Sequence, residues 1–193
     1  MRYIGNKENL LDKIYQVIRS KHIQGNSFFD FFAGTTSVGK FFKKMGYQVY
    51  SCDLMYFSYV LQQAYISNNQ ELKFEKLLTY LNFQSASLFT SPLNTILEYL
   101  NHIEPIEGFI SKNYTPLGTS HLQTPRMYYS NENGKIIDSV RQKIETWKTE
   151  GLIDKNEYFV LLACLIETVP YYANITGVYA AFRKKWDPRA TKK

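Results

Sequence analysis

Two carboxylates and a glycine turn are spaced along the first third of the chain as a nucleoside site needs them. The run Ser27-Phe28-Phe29-Asp30-Phe31-Phe32-Ala33-Gly34-Thr35-Thr36-Ser37-Val38-Gly39 leads from an aromatic strand through a small-residue turn directly into a helical pattern. The next apolar run, 47–52, alternates as a strand does and is closed by Asp53. Gly34 opens backbone conformations closed to residues with a Cβ and lets a ligand approach closely. Ser37 or a preceding threonine is placed to cap the helix. An acid at the end of the second strand can accept both hydroxyls of a ribose, so the pattern points to an adenosine-type cofactor. Pyrophosphate is disfavoured, because Thr36 stands where G-x-G-x-x-G would place its middle glycine. Taken alone, the same residues read equally well as a packing corner beside a solvated strand end.

The amino terminus narrows the choice. Arg2-Tyr3-Ile4-Gly5-Asn6-Lys7 leads into a helix with Leu10, Leu11, Ile14, Val17 and Ile18 on one face. Together with the Phe-x-Asp-x-Phe-Ala-Gly-Thr of residues 28–35, this opening resembles the alpha group of adenine-specific (N6-amino) DNA methyltransferases, of the kind accompanying type IIS restriction endonucleases. Further blocks fall in the family's order. They are Gly108-Phe109-Ile110 with Asn113-Tyr114, then residues 126–136 beginning Arg126-Met127-Tyr128-Tyr129, and last 173–182 running into 184–190. The resemblance spans nearly the whole chain, and several ordered blocks are more specific than any one.

The resemblance implies S-adenosylmethionine as cofactor. It places Tyr3, Gly5, Asn6 and Lys7 against that molecule, with Lys7 matched to the methionine carboxylate, although a lone lysine there reads more readily as a solvated helix start. Phe32, Ala33, Gly34, Thr35 and Thr36 match the cofactor loop, Asp30 the acid that meets the methionine ammonium, Asp53 the ribose acid, and Leu54 the cover of the adenine ring. Double-stranded DNA is the implied partner. Arg126 suits a phosphate or guanine edge and Tyr128 a base face, while Asn174 and Tyr179 lie on the segment that faces DNA in the family. Lys184 and Lys185 begin a basic tail suited to backbone phosphates. The alternatives are an Arg126–Glu132 pair, an inward Tyr128 and a merely solvated tail.

The family's catalytic element is missing. Its Asp/Asn/Ser-Pro-Pro-aromatic motif accepts hydrogen bonds from the adenine amino group and stacks on the extruded base, and no Pro-Pro pair occurs in the 193 residues. Asp187-Pro188-Arg189 lacks the second proline and the aromatic. No catalytic residue is therefore assigned, and the motif is expected beyond Lys193, in a missing carboxy-terminal portion or a second chain. On this reading the chain is an inactive amino-terminal part of a DNA adenine methyltransferase of a restriction-modification system, whose cognate endonuclease acts on the same site. A non-catalytic nucleic-acid-binding or regulatory module and one half of a split methyltransferase are the other readings.

Composition agrees. A formal charge of +6 favours polyanionic partners. The two cysteines and three histidines lack metal spacing, so no metal site and no disulfide are expected. The start lacks a signal-peptide pattern and no apolar run reaches membrane-spanning length, which points to the cytoplasm. The pattern predicts helices over 56–67, 71–81, 93–102, 138–150 and from 154 toward 169, the last kinked or ended by Pro170, with a loop-rich stretch between 105 and 134. The fold expected is α/β, an incomplete Rossmann-like methyltransferase core with a helical DNA-recognition insertion. Residues 1–70 would bind the cofactor, 71–173 form the insertion, and 174–193 return toward the catalytic motif.

Overall fold

The computed structural model describes residues 5–83, 90–177 and 180–192, which fall into two compact units, Met1–Gln70 and Glu71–Lys193.

In the first unit, β1 (Ser27–Asp30) and β2 (Gln48–Ser51) pair in parallel, with Phe29 opposite Tyr50 and Asp30 opposite Ser51. Helix α2 (Ser37–Lys44) makes the crossover, a βα unit of the kind parallel pairing demands. Alternation in β1 sends Phe28 toward α2, where its ring stacks on the fully buried Phe42 at 3.9 Å. Gly39 faces Ile66 closely: a Cβ there would lie 2.9 Å from its Cδ1 and displace the end of that side chain. Phe29, Phe31 and Tyr50 remain exposed. Helix α3 (Tyr56–Gln62) continues into a π-helical turn, Gln63–Ser67, and buries Val60, Leu61, Ala64 and Ile66. The Lys43 ammonium donates to the carbonyls of Tyr65, Ile66 and Asn68, satisfying orphan acceptors where the helix ends. Helix α1 (Leu11–Ser20) follows a 3-10 turn, Glu8–Leu10. Its Tyr15 meets Phe41 and Phe42, but Leu10 and Val17 of the expected apolar stripe are exposed.

The second unit is helical: α4 (Glu75–Tyr80), α5 (Pro92–Asn101), α6 (Phe109–Tyr114), α7 (Asn131–Thr149) and α8 (Lys155–Tyr172). Its core includes Ile96, Leu100, Ile144, Trp147 and Leu161. Three sequence expectations change. Helix α4 begins at Glu75 rather than residue 71, because the Phe74 N–H is held by Glu157 Oε1 at 2.6 Å with Phe74 at φ 51°. The stretch expected as loop contains α6, whose first amides are tied to Asp138 at 2.8 Å. Asp138 therefore lies within α7, and the helix starts at the Ser130 cap, whose side chain accepts from Asn133 N. Helix α8, opened by an Asp154–Glu157 capping box, carries Pro170 inside and ends only at Tyr172. Among the described residues no helix is long and apolar enough to cross a membrane.

The molecule is thus a mixed α/β chain with a small parallel sheet.

Candidate functional site

The site grows from the turn between β1 and α2. Asp30 ends β1, and the chain reverses through Gly34 at φ 51° and Thr36 at φ 60°, both left-handed. For Thr36, with a branched Cβ, that conformation is strained, and strain of this kind collects at functional turns. Thr36 N donates to Ala33 O at 2.7 Å and Ala33 N to Cys52 O at 3.1 Å, so the turn is stitched to the end of β2.

Asp53 holds the same corner from the other strand. Its Oδ2 accepts from Gly34 N at 2.8 Å and its Oδ1 from Met55 N at 2.9 Å. Each carboxylate oxygen keeps a second lone-pair site. The expected ribose acid is therefore also a structural clamp.

Asp30 is 8 % exposed, and within the described residues its Oδ2 has no hydrogen-bond partner. Its other oxygen lies 3.8 Å from Lys7 Nζ, which donates to Phe32 O at 2.6 Å. A buried acceptor left unmade costs about 1–3 kcal/mol, which a donor brought to this oxygen, above all a cationic one, would recover. Lys7 offers the complementary charge beside it.

Asn6 joins the corner through Oδ1, which accepts from Ser37 Oγ at 2.7 Å, Thr35 Oγ1 at 3.2 Å and Glu8 N at 3.1 Å. Of the caps expected, Ser37 or a preceding threonine, Thr36 occupies the N-cap position, without a side-chain cap bond, and the Ser37 hydroxyl turns to Asn6. Ala33 and Thr35 are buried, whereas Phe32 is 79 % and Leu54 99 % exposed, open to whatever enters. Sequence reasoning missed Ser37 as a partner of the amino-terminal segment, since only the fold brings residues 6 and 37 together.

The second unit disposes its residues differently. Arg126 is exposed, and its Nη1 donates to Asn113 O at 3.0 Å rather than pairing with Glu132. Tyr128 is half-buried, its ring edge-on to Tyr114 and Phe182 at 5.7 and 5.2 Å. Asn174, expected to face DNA, is 0 % exposed. Its Nδ2 donates to Met127 O and Arg183 O, and its Oδ1 accepts from Asp187 N, so it pins three segments and has no face toward solvent. Lys184 and Lys185 are exposed. Tyr3 and Tyr179 lie outside the described residues. Asp187 is gripped by Arg189 and by Arg183 Nη1, and the Arg189 guanidinium bonded to it holds its carboxyl far below the usual range.

Comparison with known proteins places these features in a family. The pattern of the D12 class N6 adenine-specific DNA methyltransferases matches residues 3–193. The chain is 43 % identical to modification methylase LlaI of Lactococcus lactis subsp. lactis over 196 aligned residues, covering 100 % of this chain and 29 % of that protein. It is 41 % identical to the type II methyltransferase M.FokI of Planomicrobium okeanokoites, covering 98 % and 28 %. With M.NlaIII of Neisseria lactamica the identity is 36 %, covering 100 % and 52 %. The chain thus spans between about three-tenths and one half of these relatives' length. No solved structure matches it.

Proposed function

Because the chain belongs to the D12 class N6 adenine-specific DNA methyltransferase family, we propose that its first unit binds S-adenosylmethionine at the Gly34 corner, for methylation of adenine in double-stranded DNA by a longer enzyme. When bound, that cofactor supplies a methyl group on an electron-poor sulfur. The observation that carries the reading is the buried Asp30 Oδ2 beside Lys7, without a hydrogen-bond partner among the described residues, on the turn that Asp53 clamps. Asp30 meets the ammonium and Lys7 the carboxylate of the amino-acid end. Asp53 uses its remaining lone pairs for the ribose, and Leu54 and Phe32 cover the base. Gly34 keeps the approach clear, and Gly5, Ala33, Thr35, Thr36 and the Tyr3 of the opening segment complete the cradle. The sheet belongs to an incomplete Rossmann-like core. The helical unit serves DNA recognition, with Arg126, Lys184 and Lys185 toward phosphates, Tyr128 and Tyr179 toward bases, and Asn174 holding that segment in shape. The Pro-Pro motif absent from this sequence comes from further sequence of the longer protein or from a second chain. A cognate endonuclease would act on the same site, in the cytoplasm.

Calorimetric titration with S-adenosylmethionine tests the reading. Asp30→Ala and Asp53→Ala are each expected to weaken binding by about tenfold or more, as loss of a charge-assisted contact does. Unchanged affinity in both removes the site.

A further inference from the structure

Resting on the cofactor reading, we infer that Asn6 is a positioning residue, whose amide fixes the amino-terminal segment on the Gly34 turn so that Lys7 is held for the carboxylate end of the cofactor. The side chain is already engaged on both its polar atoms. Oδ1 accepts from Ser37 Oγ, Thr35 Oγ1 and Glu8 N, and Nδ2 donates to Glu8 Oε2 at 3.3 Å. The two hydroxyls also lie 2.9 Å apart. Two hydroxyl hydrogens serve these three close pairs: Ser37 O–H goes to Asn6, and Thr35 O–H is shared between Asn6 Oδ1 and Ser37 Oγ. Such a chain polarises along its length and strengthens its last bond, the one Asn6 receives.

The consequence falls on the next residue. Gly5 at φ 87° and the irregular backbone at Asn6 and Lys7 give the segment no helical ladder of its own. A lysine side chain has many rotamers to lose, so a free segment would spread Lys7 over many positions. Asn6 grips the turn at Thr35 and Ser37, while Lys7 reaches its other side at the Phe32 carbonyl. Gly34 lies between the two grips. The affinity that Lys7 contributes therefore depends on an amide that touches no ligand.

The test compares two ligands on the same protein. S-adenosylmethionine carries the amino-acid end, and 5′-methylthioadenosine keeps the nucleoside without it. Asn6→Ala is expected to weaken the first by about tenfold, the size of one oriented ionic contact, and to leave the second within about twofold. Retained binding of 5′-methylthioadenosine also shows that the variant is folded. Ser37→Ala should reproduce the same split, and in a Lys7→Met background Asn6→Ala should cost nothing further. Equal loss of both ligands, or an Asn6→Ala effect that persists without Lys7, overturns the inference and leaves the cofactor reading standing. If the parent chain binds neither ligand, the cofactor reading falls and the inference with it.

Discussion

Asp53 shows how much of a residue's role lies outside its spacing. Its place after an alternating run marked it as a ligand acid, and nothing local announced that the same carboxylate would bind the amides of Gly34 and Met55. The Gly34 amide is a tertiary partner, 19 residues away, whereas the Met55 amide is a local one two residues on. Asp30 was legible as an acid at a strand end, but its partnerless oxygen exists only once burial is known. Cys52 offers a chemical reporter on this corner. It is exposed and lies between the two acids' strand ends, its thiol 3.3 Å from Phe31 O. Burial pushes the Cys164 thiol up to about 11, so at pH 8 only about one in a thousand of its thiols is ionised. Alkylation should therefore proceed at Cys52 first, and saturating S-adenosylmethionine should slow it several-fold. Peptide mapping of the labelled protein checks this, and a Cys52 rate indifferent to the cofactor contradicts it.

At the scale of elements, periodicity located the long helices and missed α6. Helix α6 has six residues, too few to nucleate by propensity. It exists because Asp138, on α7, takes the amides of Ile110 and Ser111, and because Gly108 admits that carboxylate where a Cβ would come within 2.6 Å of it. No reading of residues 105–134 alone contains that acid. Asp138→Ala should release α6 and lower stability by about 1–3 kcal/mol, measured by denaturant unfolding; a change below about 0.5 kcal/mol contradicts the assignment. Pro170 reads locally as either a kink or an end; it does not end α8, because a proline near a helix end removes a single hydrogen bond and the helix closes two residues later. The last segment is held by charge, since Asn174 anchors Asp187 and the two arginines grip it. The Asp187 carboxyl is depressed in the folded chain, so its stabilisation is complete above the ordinary carboxylate pKa of about 4. It is lost as pH falls from there toward the folded value. The Trp186 indole resonance should keep its native shift down to about pH 4 and move only below it. Arg189→Gln should shift that change to higher pH, and the same midpoint in both proteins speaks against the ion cluster.

For the whole molecule, the legible part was the α/β character and the family, carried by ordered blocks that run the length of the chain. The complete core was not legible: among the described residues the parallel sheet has two strands, and the exposed Phe29, Phe31 and Tyr50 belong to a sheet face that parallel sheets normally cover. A net charge of +6 and an exposed basic tail give the account its DNA arm. Lys184→Glu with Lys185→Glu should weaken duplex binding across sequences and flatten the dependence of affinity on salt, by a slope of about 1–2. Fluorescence anisotropy at several ionic strengths measures it, and an unaltered slope removes these lysines from the interface. The 193-residue chain, without a Pro-Pro motif, should transfer no methyl group to adenine by itself. The most direct test of the central claim is a crystal of this chain soaked with S-adenosylmethionine. The account predicts density at the Gly34 corner, with the ribose on Asp53 and the ammonium on the second oxygen of Asp30; density elsewhere, or an empty corner in an open lattice, contradicts it.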